Sequence, residues 1–224
     1  MTRPAESVDA IEIETGPDPD AAVIWMHGLG ADGSDFVPIV PVLGTLPRST
    51  RFVFPHAPMQ PVTINAGYVM RAWYDIKSLD IDRREDEAGV RASHEIVAAL
   101  VARERSRGID TGRLVLAGFS QGGAMALFTG LRLTQRLAGI MALSTYVPVA
   151  ASLASEANPA NAGTPIFMAH GTEDSVVPHR LGTGSRDLLR KLGHDVEWHE
   201  YPMPHAVCAE EIADIAAWLA RVLA

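Results

Sequence analysis

Apolar positions along this 224-residue chain follow two alternating patterns. Short runs at 21–26, 51–54, 113–117, 139–143, 165–169 and 196–201 have the length and content of β-strands. The segments between them carry a helical period. From 88 to 105, Val90, Ile96, Val97, Leu100 and Val101 share one face, while Arg91, Glu95, Arg103, Glu104 and Arg105 fall largely elsewhere. A last helix over 206–223 turns Ile212, Ile215, Ala216 and Leu219 inward, and a further helical segment covers 123–134. Six strands alternating with helices predict an α/β fold with a mostly parallel central sheet. The first five runs are almost continuously apolar, as strands covered by helices on both faces require.

Two stretches stand outside this rhythm. Residues 1–20, rich in acidic groups and proline, read as an N-terminal extension at the edge of the fold and lack the apolar core of a signal peptide. Residues 55–75 scatter Met59, Val62, Ile64, Tyr68, Val69, Met70 and Trp73 without a period and predict a long irregular loop. That loop serves either as a satellite of the core or as one wall of a binding groove over the site. The charged approach 80–87 reads as a solvated helix entry.

Composition narrows the classes. A hydrophobic content of 47% supports one large core, and no linker divides the chain, so a single domain over 1–224 is expected. The formal charge is −8, from 19 basic against 27 acidic residues, and no basic stripe alternates with aromatics, which argues against nucleic acid. No apolar run approaches the ~18 residues of a membrane span. Cys208 is the only cysteine, which excludes an internal disulfide and fits a reducing, cytoplasmic setting. A Cys208–His205 nucleophile pair is disfavoured, because three residues of separation rarely give the geometry.

Chemistry concentrates at Gly118-Phe119-Ser120-Gln121-Gly122, a G-x-S-x-G pentapeptide after an apolar run and before a helical segment. A serine on such a sharp strand-to-helix turn is exposed for attack, and glycines on either side let the two backbones pass closely. Ser120 is therefore the candidate nucleophile. The partners of such a serine follow in the order acid, then histidine. Five histidines follow Ser120: His170, His179, His194, His199 and His205. His205, in Pro202-Met203-Pro204-His205 after the last strand, occupies a loop at the carboxyl edge of the sheet and is favoured. His199 alternates with Trp198 in a strand and is expected to face solvent, and His194 lies at a helix end. Asp174, just after strand 165–169, is the favoured acid, with Glu173 as runner-up. Donors for a developing oxyanion fall to the backbone N–H groups of Gln121 and Leu29.

These segments resemble the carboxylesterase and acyl-protein thioesterase group of α/β hydrolases. The likeness rests on His27-Gly28-Leu29-Gly30-Ala31-Asp32-Gly33-Ser34-Asp35-Phe36, Phe54-Pro55-His56-Ala57-Pro58, the Ser120 pentapeptide with Gly123, His170-Gly171-Thr172-Glu173-Asp174 and Pro204-His205. It implies an α/β-hydrolase fold and a cytosolic serine hydrolase of short-to-medium acyl esters or thioesters, working without a cofactor. Its substrates would be small esters, thioesters or acylated proteins, and a homodimer is the family-level expectation. It also implies Ser120, Asp174 and His205 as triad, Leu29 and Gln121 as oxyanion donors, and Trp73 near the acyl groove, with Met70 and Val176 as further groove candidates. Ser144-Thr145-Tyr146 departs from the pattern, where a glycine-containing turn is expected.

Other classes fit less well. Gly28-Leu29-Gly30-Ala31-Asp32-Gly33 is a literal G-x-G-x-x-G, yet Pro38 and Pro41 would break the dinucleotide-binding helix and no acid follows 52–54 to hold a ribose. His94-Glu95 and His199-Glu200 each lack the second histidine of a zincin motif, since Ala98 and Met203 stand there. A non-catalytic binding protein on the same fold is the remaining alternative.

Overall fold

Alternate residues of the central strands face opposite layers, and each layer is apolar. In β2 (Ala21–Met26), Ala22, Ile24 and Met26 enter one core while Ala21, Val23 and Trp25 enter the other. The same split holds in β6 (Leu114–Phe119) and β7 (Gly139–Leu143), which is why these runs read as continuously apolar. A computed structural model of the chain describes residues 9–78 and 85–224.

β3 (Thr50–Pro55), β8 (Ile166–Gly171) and β9 (Val196–Tyr201) complete the parallel set. The seventh strand, β1 (Ala10–Glu14), pairs antiparallel with β3, and the sheet order is β1-β3-β2-β6-β7-β8-β9. β1 lies inside the segment expected to be an extension. Its alternation Ile11-Glu12-Ile13-Glu14 is the two-residue period of an edge strand, with Ile11 and Ile13 packed on the core. Residues 55–75 also carry regular structure, a hairpin of β4 (Met59–Val62) and β5 (Tyr68–Arg71). Its reversal uses positive φ at Ala66 and Gly67.

One face of the sheet is covered by α1 (Glu87–Ser106), α2 (Gln121–Gly130), α3 (Ala150–Glu156) and α4 (His179–Lys191), which bury Val97, Leu100, Leu127, Leu153 and Leu189. The other face is covered by α5 (Ala209–Val222), through Ile215, Trp218 and Leu219, and by a 3-10 turn over Val37–Val42. Each of these large side chains contributes about 1.5–3 kcal/mol on burial. α2 is buried on every side, so it lacks the apolar stripe of a surface helix. It begins at Gln121, directly after Ser120, and α5 begins only at Ala209, because residues 202–207 form the loop that carries His205. Of the charged approach to α1, residues 80–84 lie outside the described residues.

Candidate active site

Strand β6 ends and α2 begins within one residue, and that residue is Ser120, at φ 55° and ψ −120°. The conformation lies in the sparsely populated left-handed half of backbone space, where a non-glycine residue persists only if its surroundings hold it. Two hydrogen bonds do so: Ser120 N–H donates to Leu143 O at 2.8 Å, and the Thr145 hydroxyl donates to Ser120 O at 2.7 Å. Close packing does the rest. A Cβ on Gly118 would lie 2.1 Å from Gly122 C, and one on Gly122 would lie 2.1 Å from Met26 O. The glycines of the pentapeptide are thus required by backbone contact between β6, α2 and β2.

Asp174 and His205 meet at the same edge of the sheet. His205 Nδ1 lies 2.6 Å from Asp174 Oδ2 in a strong hydrogen bond, while Asp174 Oδ1 accepts from the N–H groups of Val176 (2.9 Å) and Val177 (2.8 Å). With all these partners the Asp174 side chain is fully buried. The two loops approach this closely because Gly171 has no side chain: a Cβ there would stand 2.3 Å from Met203 O. Glu173 N–H donates to Met203 O and Thr172 N–H to Tyr201 O, which fixes the acid loop against the histidine loop. The His205 ring packs on Phe119 with centroids 4.6 Å apart, so the imidazole sits beside the residue preceding Ser120. The Ser120 hydroxyl makes no hydrogen bond among the described residues.

Backbone donors lie on the Ser120 side of this edge. Gln121 is the first residue of α2, so its N–H has no acceptor within the helix. In the turn after β2, Gly30 N–H donates to Arg71 O and Ala31 N–H to Gly28 O, which leaves Leu29 N–H free of backbone partners. Leu29, Ser120 and Gln121 line one cavity of about 220 Å³ together with Ile64, Ile76 and Val176. Trp73 stands behind this wall. It is 1% exposed, its indole N–H donates to His27 O at 2.9 Å, and its backbone N–H donates to Gln121 Oε1 at 3.0 Å. Met70 lies outside the cavity wall, its sulfur accepting from Asn65 Nδ2 at 3.3 Å.

A scan against family models matches residues 9–223 to the phospholipase/carboxylesterase model. The chain belongs to the phospholipase/carboxylesterase family. Acyl-protein thioesterase 1 of Neurospora crassa is 43% identical over 214 residues, which span 91% of this chain and 87% of that protein. Acyl-protein thioesterase 1 of Mycosarcoma maydis is 38% identical over 95% of each chain. Among solved structures, SOBER1 of Arabidopsis thaliana superposes with a TM-score of 0.87 at 31% identity, covering 91% of this chain and 99% of that one. Acyl-protein thioesterase 2 of Zea mays gives 0.83 at 29% identity, covering 96% and 100%. The α/β-hydrolase fold and serine hydrolase chemistry follow from this membership.

Within this phospholipase/carboxylesterase family member the other candidates are occupied elsewhere. Glu173 is exposed. His199, expected to face solvent, is only half-exposed: its ring stacks on Phe167 at 4.9 Å and lies within 3.3 Å of Asp214. His194, just past the end of α4, is 8% exposed, and burial pushes its imidazole below the usual histidine range. Cys208 stands at the N-terminal cap position of α5 without a side-chain capping bond, and burial pushes its thiol up, which disfavours a thiolate. The Gly28–Gly33 turn runs into the proline-containing 3-10 segment instead of an α-helix, and a Cβ at Gly33 would lie 2.4 Å from Phe54 O. Gly33 thus serves packing against β3, while Gly28 passes close to Phe119 and Ser120 and Gly30 adopts φ 77°.

Three further features surround the site. His27 is locked as a neutral tautomer, its Nε2 accepting from Ala57 N–H at 3.0 Å and its Nδ1–H donating to Gly28 O at 2.7 Å, and burial lowers its basicity. It thereby holds the Leu29 turn against the loop after β3. His170 donates Nε2–H to Val177 O at 2.9 Å and lies 3.4 Å from Asp174 Oδ2. The turn after β7, which carries no glycine, places Ser144 at φ 46°. Among the described residues no helix is long and apolar enough to cross a membrane.

Proposed function

We propose that this chain cleaves acyl esters and thioesters through an acyl-enzyme on Ser120. The observation that carries the reading is the hydrogen-bonded Asp174–His205 pair beside the strained Ser120 turn, at the mouth of an apolar cavity. Ser120 Oγ attacks the acyl carbonyl while His205 Nε2 accepts its proton. Asp174 holds the Nδ1–H tautomer and favours the imidazolium that forms. The carbonyl oxygen, now negative, is received by the N–H groups of Leu29 and Gln121. His205 then protonates the departing alcohol or thiol, and water repeats the sequence to release the acid.

The acyl chain enters the cavity past Val176, and the leaving group faces solvent. The curated relatives are named acyl-protein thioesterases, which supports an acylated protein as well as small thioesters among the substrates. The hairpin β4–β5 exposes Met59, Tyr68 and Val69 and offers an apolar face to such a protein or to a second copy of the chain. A single cysteine fits a reducing, cytoplasmic compartment.

Labelling with a fluorophosphonate probe and locating the adduct by mass spectrometry tests the reading. The expected result is one adduct, on Ser120, lost in Ser120→Ala together with roughly 10⁶ of kcat. Folded protein that takes no label, or takes it elsewhere, overturns the assignment.

A further inference from the structure

The cavity at Ser120 is bounded by a residue for which the hydrolytic steps have no use. Tyr146, in the loop after β7, is 8% exposed, and its hydroxyl lies 2.9 Å from that of Tyr74 in a buried pair. Both tyrosines line the 220 Å³ cavity that also holds Ser120, Val176 and Val177. Tyr146 also lines a second groove of about 260 Å³, bounded by Val147, Ala150, Leu181, Gly184 and Leu188 together with the polar Arg180 and Ser185. Among the described residues Tyr146 alone lines both spaces.

We propose that Tyr146 is a specificity-determining partition that limits the acyl chain to the cavity at Ser120 and shuts it out of the groove between α3 and α4. The proposal rests on the acyl-hydrolase reading and deepens it by naming the substrate class: medium-chain acyl groups. An apolar cavity of about 150 Å³ holds the six carbons of benzene, so 220 Å³ accommodates roughly eight to nine. Among the described residues, a longer chain that continues toward the second groove must pass Tyr146. The hydroxyl pair resists that passage, because displacing the Tyr146 ring strands the buried Tyr74 hydroxyl. Joined to the second groove, the cavity would about double in volume.

The test is kcat/KM on p-nitrophenyl esters of four, eight, twelve and sixteen carbons. The wild-type protein is expected to favour chains up to eight carbons and to lose about tenfold or more at twelve. Tyr146→Ala, made together with Tyr74→Phe so that no hydroxyl is stranded, raises the twelve-to-eight ratio by about tenfold. Gly184→Phe then reverses that gain. Gly184 lines the second groove and a Cβ there meets nothing within 4 Å, so residue 184 has open space for a larger side chain that narrows the groove. In the wild-type background Gly184→Phe leaves the chain-length profile unchanged, because Tyr146 already closes the way. General loosening of the loop would lower activity on all chains together and would not respond to residue 184. If the alanine variant does not fold, Tyr146→Leu replaces it with a smaller shift in the same direction.

An unchanged ratio in a folded variant that still cleaves the four-carbon ester overturns the partition, as does a wild-type optimum at sixteen carbons. Failure of the underlying reading looks different: wild-type protein that neither cleaves the four-carbon ester nor takes a fluorophosphonate label.

Discussion

Trp73 and Gln121 are joined by a hydrogen bond from the Trp73 backbone N–H to Gln121 Oε1 at 3.0 Å, and Gln121 Nε2 returns one to Tyr74 O at 2.7 Å. The Trp73 indole meanwhile donates to His27 O, two residues before Leu29. One buried residue therefore braces both the Leu29 turn and the start of α2, which carry the proposed oxyanion donors. Removing a brace shifts donors whose value depends on fixed placement. Trp73→Phe is expected to keep the fold and lower kcat by about tenfold to a hundredfold, with a smaller change in KM. Steady-state kinetics on a short-chain ester decides it, and an unchanged kcat removes Trp73 from the site.

Asp174 binds three groups, whereas Glu173 is exposed and holds none of them. Asp174→Asn retains an acceptor for the loop but inverts the donor pattern toward His205, and should lower kcat by about 10⁴. Glu173→Gln should stay near wild type. Comparable losses in the two variants would reassign the acid.

Glycine substitutions separate contact from conformation. Gly122→Ala forces a Cβ to 2.1 Å from Met26 O, a clash between backbones that no side-chain rotation relieves. The expected outcome is an unfolded or insoluble chain. Gly184→Ala, mid-helix with open space around it, should instead stabilise by about 0.5–1 kcal/mol. Urea denaturation measures both, and a soluble, active Gly122→Ala protein contradicts the packing described for the elbow.

Glu211, in the first turn of α5, is fully buried and neither carboxylate oxygen makes a hydrogen bond. Burial pushes its carboxyl up from the usual 4.5 to about 8, with the nearby Cys208 N–H opposing and the Asp214 charge adding to the rise. The folded chain thus keeps a proton that the unfolded chain loses. Its stabilising contribution is full below pH 4.5 and is lost as pH rises toward 8, at up to about 1.4 kcal/mol per pH unit. Burial pushes His27, His94, His170 and His194 below 6.5, which acts in the opposite direction in acid. The difference between wild type and Glu211→Gln isolates the carboxyl. Urea midpoints at pH 5, 6.5 and 8 should fall for the wild type relative to the variant, and parallel profiles would show Glu211 to be ionised without cost.

Much of the architecture was legible because strand and helix periods are local. The pattern 21–26 fills both cores, and Val90, Val97, Leu100 and Val101 form the buried face of α1. Legibility failed where the signal was short or tertiary. β1 is a five-residue edge strand with acidic residues on its open face, and hairpin β4–β5 exposes the very side chains that disguised its period. The family resemblance implied Trp73 near the acyl groove, but the residue is buried behind the cavity wall and hydrogen-bonded to segments 46 and 48 residues away.

By itself, then, the sequence determined the order of the six parallel strands, the glycine-flanked turn at Ser120 and the short roster of acids and histidines that follow it. These rest on spacing along the chain, where neighbours in sequence are neighbours in space. The sequence favoured His205 and Asp174, but only folding brings them to 2.6 Å across 31 residues and sets how closely Gly171 lets the two loops approach. Folding also set Tyr146 on the wall of two cavities. Such contacts are made by loops brought together at one sheet edge, and their distances depend on packing throughout both cores.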